Sequence, residues 1–293
     1  MAVTELLWQG VPALALQAPD GARAVVTLHG GHVVSWVPSG RGGDEQLYLS
    51  PRSSFTSGQP IRGGVPVVFP QFSDRGPLPR HGFARTRNWR RVTSRDAADG
   101  DGAAMLVLRL SDDTQTRAAW PHGFALELHV RLQHSALHIS LECSNTGSTN
   151  WAFSAALHTY LRVHDSALAS VAGLGGHRYH DAVDRQDKVQ HNALLPMRGE
   201  IDRVYAGVGQ PLQLHDGGAR APRAIQVTQT GFDDVVVWNP GAARCAALAD
   251  MPADGYRRMV CIEAVRITRP VALAPGQTWS GEQRLRLTDA AAP

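Results

Sequence analysis

Strict alternation of apolar and polar residues dominates the middle of this chain. Phe124, Leu126, Leu128, Val130 and Leu132 share one parity, and Leu137, Ile139, Leu141 and Cys143 share the next, with His134, Ser135 and Ala136 between them. Period-two patterning over both arms predicts an antiparallel hairpin with one buried face. Shorter runs read as strands in the same way: 24–28 and 32–36 around Gly30-Gly31, then 104–110, 225–229, 235–239, 259–265 and 282–288. Residues 151–163 read as a further strand whose looser alternation suits burial on both faces. Turn-rich segments separate these runs, at 38–43, 74–79 and 95–102. Residues 173–188 are rich in Gly, His and Asp, show no period, and are expected to be irregular. No segment carries the 3.6-residue pattern of an ordinary amphipathic helix. Many short strands with turns between them predict an all-β sandwich or barrel. With no linker and no fixed repeat, residues 1–293 are expected to form a single domain.

Composition adds limits. Hydrophobic residues make up 43% of the chain and charged ones 19%, enough apolar material for a full core. The net charge of +3 favours small anions mildly and is too weak to point to nucleic acid. Cys143, Cys245 and Cys261 have no metal-ligand spacing and their odd number suggests no disulfide framework. Residues 1–10 lack the pattern of a signal peptide, and no apolar run approaches the roughly 20 residues needed to span a bilayer. A soluble cytoplasmic protein is expected, with no membrane and no nucleic-acid partner.

The candidate chemistry is concentrated in few places. Residues 62–72 (RGGVPVVFPQF) and 79–85 (PRHGFAR) bring Arg62, Arg80, Arg85 and His81 beside glycine-containing turns. Guanidinium forks suit phosphate or carboxylate, and glycine allows close backbone approach; the alternative is ordinary surface charge. His158 lies within an apolar strand, as a proton-transfer group or as a core histidine satisfied by backbone. Glu263 is enclosed by Val260, Cys261, Ile262 and Val265. Turned inward, it would carry a large desolvation cost and a raised pKa suited to a general base; turned outward by alternation, it would be unremarkable. Asp202 is either an acceptor for hydroxyls or part of a surface turn with Arg203. Asp233 and Asp234 read as the entry turn of the next strand, and Trp238 reads as core. His29 and His32 flank a glycine turn without a third ligand, and His177, His180 and His191 follow no pattern.

The segments IRGGVPVVFPQF, LPRHGFAR, ALHTYLRV, GEIDRVY, DVVVWNP and VCIEA occur in that order. Together they resemble the aldose 1-epimerase superfamily, and most closely its glucose-6-phosphate 1-epimerase branch, over nearly the whole chain. The resemblance implies a large antiparallel double-sheet β-sandwich of the galactose mutarotase-like type. It implies His158 as general acid and Glu263 as general base in opening and closing an aldose ring, with no metal and no other cofactor. It also implies Arg62 and Arg85 as phosphate contacts, His81 near the ring oxygen or hydroxyls, and Asp202 as an acceptor for sugar hydroxyls. Arg80 stands where members usually carry a substrate-touching glutamine, so it is a binding residue that leaves the exact sugar open. The expected partner is a small hexose phosphate acted on by a monomer; the alternatives are a mutarotase of free aldoses and a non-catalytic sugar-phosphate binder.

Overall fold

The computed structural model describes residues 3–40, 44–95, 102–218 and 223–289. Most of the turn expected at 95–102, and the end of the loop at 38–43, lie outside these residues. Three antiparallel sheets carry the chain. The long hairpin takes the form expected of it, Phe124–Gln133 against Ala136–Asn145, with Leu128 opposite Leu141 and the even-numbered apolar residues of the first arm buried. It sits inside a nine-stranded sheet that runs from Arg90–Arg95 to Leu194–Pro196. A four-stranded sheet is formed by Val3–Trp8, Val11–Gln17, Arg23–Thr27 and His32–Val37.

The third, eight-stranded sheet holds the 15-residue strand Met259–Leu273. On one side of it lie Asp234–Asn239, Ile201–Tyr205, Arg178–Asp181 and Gln186–Val189, and on the other Trp151–Leu157 and Val67–Val68. Leu106, Leu108, Leu126, Leu128, Leu137, Phe69, Leu157, Val237 and Ile262 belong to one continuous buried cluster. A smaller cluster, containing Val68, Tyr160, Val236, Trp238, Met259 and Cys261, includes residues of the eight-stranded sheet that point the other way.

Two strand expectations are corrected. Residues 151–163 are not one strand: they divide into Trp151–Leu157 and Tyr160–Arg162, with His158 and Thr159 between. Residues 173–188 are not irregular throughout, because Arg178–Asp181 and Gln186–Val189 form an edge hairpin with His180 opposite Asp187. That hairpin has no apolar period because polar contacts hold it: Lys188 Nζ donates to Asp181 at 2.9 Å, and Arg203 lies over the Tyr179 ring at 4.6 Å. The only α-helices among the described residues are the short Thr114–Ala119 and Gly241–Ala246. No helix among them is long and apolar enough to cross a membrane.

Candidate active site

Strand register builds the floor of a cleft of about 920 Å³. Residues directly opposite in an antiparallel pair share one face of the sheet, and so do residues two apart on a strand. Asp202 pairs with Trp238, Trp238 with Cys261, and Cys261 with Tyr160, making one row across four strands. The adjacent row runs from His180 through Val204 and Val236 to Glu263. Leu157 pairs with Ala264 before the break and Tyr160 with Cys261 after it, so the register does not slip and His158 falls opposite Glu263. Across the break the chain keeps the same neighbours: His158 donates its N–H to Pro66 O, and Thr159 O accepts from Ile262 N.

His158 Nδ1 stands 3.3 Å from Glu263 Oε1, with side-chain exposures of 10% and 2%. Glu263 Oε2 has no hydrogen-bond partner among the described residues. Tyr160 stacks on the His158 ring at 4.8 Å and 7°, while His81 and Trp238 meet it edge-on at 5.4 and 6.2 Å. Burial is the main force on Glu263, His158 and His81. It pushes the Glu263 carboxyl well above the usual carboxylate range, with the charge of Asp202 adding and Arg80 opposing. It holds the His158 imidazole well below its usual value, helped by His81, Arg62 and Arg85. His81 is drawn down to about 2 by burial and then by Arg85, Arg80 and Arg62. Ser73 donates its N–H to His81 Nδ1 at 3.3 Å, which leaves the proton of this neutral ring on Nε2. Burial therefore favours imidazole beside carboxylic acid, one proton transfer away from imidazolium beside carboxylate.

The walls are loops rich in arginine. Arg62 donates from Nε to Asp250 at 3.1 Å and from an Nη to Tyr160 Oη at 3.0 Å. Arg80 pairs with Asp74 at 2.9 Å, and Arg85 donates an Nη to Arg80 O at 2.8 Å. The buried Arg85 Nε has no partner among the described residues. Burial lowers Arg85 to about 10, with Arg62 and Arg80 adding and Tyr160 opposing, so it stays a cation at neutral pH. Asp202 is raised by burial against the pull of Arg244, whose Nη lies 3.7 Å away.

Glycine fixes both arginine loops. Gly64 has φ of 61° and a Cβ there would stand 2.3 Å from Val33 O. Gly82 has φ of 68°, and its Cβ would stand 2.1 Å from Phe69 O. No flexible side chain is available there to give way. Gly82→Ala is expected to lower stability by about 2–4 kcal/mol, read by urea titration. A change below about 0.5 kcal/mol would contradict this account of the loop.

All seven residues singled out from the sequence, namely Arg62, Arg80, His81, Arg85, His158, Asp202 and Glu263, line this one cleft. Asp202 lies within Ile201–Tyr205, so the surface-turn alternative is removed. Trp238 is buried core and also cleft wall. Asp234 opens its strand as expected and is buried, accepting from Ile267 N and Thr268 N. His29 and His32 each direct Nε2 at a backbone carbonyl, those of Gln59 and Gly63, both at 2.7 Å. Sequence reasoning missed Tyr160, Asp250, Arg244, His180 and Arg185, which also line the cleft. Tyr160 was detectable, because it lies two residues beyond His158 and so shares its face; Asp250 and Arg244 lie in segments without period.

Large antiparallel sheets around a polar cleft, with an imidazole and a carboxylate at its floor, are the build of a galactose mutarotase-like isomerase. The model of the aldose 1-epimerase family matches residues 12–286, and the chain belongs to that family. It is 37% identical over 244 residues to a candidate glucose-6-phosphate 1-epimerase of Escherichia coli K12, covering 82% of this chain and 79% of the relative. A candidate glucose-6-phosphate 1-epimerase of Cenchrus ciliaris is 30% identical over 278 residues, covering 93% and 83%. The crystal structure of a candidate mutarotase from Salmonella typhimurium superposes with a TM-score of 0.88 at 31% identity, covering 98% of this chain and 94% of that one.

Proposed function

We propose that the protein interconverts the α and β anomers of a hexose 6-phosphate, with D-glucose 6-phosphate as its substrate. His158 protonates the ring oxygen O5 while Glu263 removes the proton from O1; the C1–O5 bond breaks and the C1 carbonyl forms. Rotation about C1–C2 and the reverse transfers then close the ring on the other face. Ring opening leaves imidazole beside carboxylic acid, the state that burial of the pair favours. A phosphate dianion against the arginines offsets two of the charges that hold His158 neutral, Arg62 and Arg85, and so makes its imidazolium form more accessible. His81, Arg80 and Asp202 orient the sugar.

The observation that carries this reading is the His158–Glu263 contact of 3.3 Å in a cleft walled by Arg62, Arg80 and Arg85. The names of the Escherichia coli and Cenchrus relatives support the phosphate ester as substrate. Anomeric exchange followed by NMR tests the reading with glucose 6-phosphate, free glucose and free galactose side by side. Acceleration of the phosphate ester alone is expected. Equal acceleration of the free sugars would make the protein a general mutarotase, a reading favoured by the pairing that Arg62 and Arg80 already have with Asp250 and Asp74. No acceleration at all would leave a binding protein.

Tyr160 bridges the two ends of the site, stacked on His158 and accepting from Arg62. Tyr160→Phe keeps the stack and removes the acceptor. It is expected to raise KM for the phosphate ester about 3- to 10-fold, the scale of one hydrogen bond, and to leave free-sugar kinetics unchanged. Equal losses on both substrates would show that the hydroxyl serves the fold rather than the arginine.

A further inference from the structure

The row that places Trp238 and Tyr160 also places a thiol that the proposed reaction does not use. Cys261 and Glu263 are two apart on Met259–Leu273, so both face the side on which His158 lies. One ligand atom from each of His158, Cys261 and Glu263 falls within 4.8 Å of the others, and all three residues are buried. We propose that these three side chains bind a zinc-class divalent cation, and that its binding blocks epimerisation.

Tetrahedral zinc with bonds of about 2.0–2.3 Å sets its ligand atoms roughly 3.3–3.7 Å apart. The imidazole and carboxylate already stand at 3.3 Å. Bringing the thiol in takes a movement of at most about 1 Å, within reach of a side-chain adjustment. Glu263 Oε2 and His158 Nδ1 make no hydrogen bond among the described residues, so coordination displaces no hydrogen bond at either atom. Nitrogen, sulfur and oxygen donors together select zinc, cadmium or cobalt over the oxygen-seeking magnesium and calcium. Three protein ligands leave a fourth position for water or a sugar hydroxyl. Bound metal takes up the imidazole lone pair and the carboxylate at once, so the ring cannot become imidazolium and the carboxylate cannot take up the sugar proton. The thiol must lose its own proton on binding, so affinity rises with pH.

Metal binding stands on this geometry alone; the block of epimerisation also rests on the roles proposed above for His158 and Glu263. The test uses the full chain with zinc or cobalt ions as probes. Zinc is expected to inhibit epimerisation of glucose 6-phosphate reversibly, with recovery on adding a chelator and no inhibition by magnesium at the same concentration. Cobalt is expected to give a thiolate-to-metal charge-transfer band. In Cys261→Ala that band disappears and half-inhibition needs at least about tenfold more zinc, since even outer partners of a metal site cost 10- to 100-fold in affinity. Cys261→Ser, closer to the thiol in size than alanine, serves if the alanine variant folds poorly. The other candidate group, Glu127, His129 and Glu142, lies on the nine-stranded sheet outside the cleft and supplies a control in His129→Ala. Unchanged zinc sensitivity in the Cys261 variants, or its loss in His129→Ala, would overturn the proposal. If wild type proves inactive on every sugar, the cobalt band still tests the site, and only the proposed function fails.

Discussion

Replacing Glu263 by Gln is expected to lower kcat for glucose 6-phosphate epimerisation by about 10²- to 10⁴-fold, the usual contribution of one positioned acid–base group. The amide is nearly isosteric with the carboxyl but cannot take the O1 proton. The loss should fall on kcat, with KM little changed, because Arg80, His81 and Asp202 are the residues proposed to hold the sugar. NMR exchange above the spontaneous rate measures the activity, and circular dichroism checks the fold. The same variant should not be less stable. Burial raises the Glu263 carboxyl in the folded state, so the folded chain holds this proton where the unfolded chain has released it. Wild-type stability therefore falls as pH rises from the unfolded value of about 4.3 towards the raised folded one, by up to about 1.4 kcal/mol per unit. The glutamine escapes that loss, so the difference in thermal midpoint, variant minus wild type, should grow between pH 5 and 8. A variant that keeps wild-type kcat would remove Glu263 from the reaction, and a shrinking difference would mean that its carboxyl is not held protonated by burial.

Arg85→Ala should raise KM for glucose 6-phosphate about 10- to 100-fold, equivalent to about 1.4–2.8 kcal/mol for a lost charge-assisted contact. Activity on free glucose, if wild type has any, should stay within about twofold. Arg85 is a cleaner test than Arg62. Its Nε has no partner among the described residues, whereas Arg62 is tied to Asp250 and Tyr160 and its removal would strand both. Arg85→Lys should fall between, keeping the charge and losing the fork. If the phosphate ester and the free sugar suffer alike, Arg85 does not serve phosphate, and the substrate assignment fails while the acid–base pair stands.

The hairpin at Phe124–Asn145 was legible because, apart from Ala125, Ala136 and the buried Asn145, inward apolar residues alternate with outward polar ones. The edge hairpin at Arg178–Val189 was not, because its strands pair through charges and bury little, leaving no period to detect. The break at His158 was hidden for a different reason. A two-residue gap that preserves register leaves the apolar sequence looking continuous. For the site, Glu263 could be read as inward or outward from alternation alone; pairing with Val236 and packing over the cleft decide it. Asp250 and Arg244 could not be found, since only tertiary folding brings them beside Arg62 and Asp202.

His158 and Glu263 are placed by strand ladders, while Arg62, Arg80 and His81 lie in loops between strands and Arg85 in the short 3-10 helix Ala84–Thr86. The two parts of the site consequently differ in what change they tolerate. A one-residue slip of Met259–Leu273 would turn Glu263 to the opposite face and remove it from the proposed reaction. Exchange of residues 74–80 for another loop leaves every ladder bond of the eight-stranded sheet in place. On the proposed roles, sugar preference can change with that loop while the His158–Glu263 pair keeps its place.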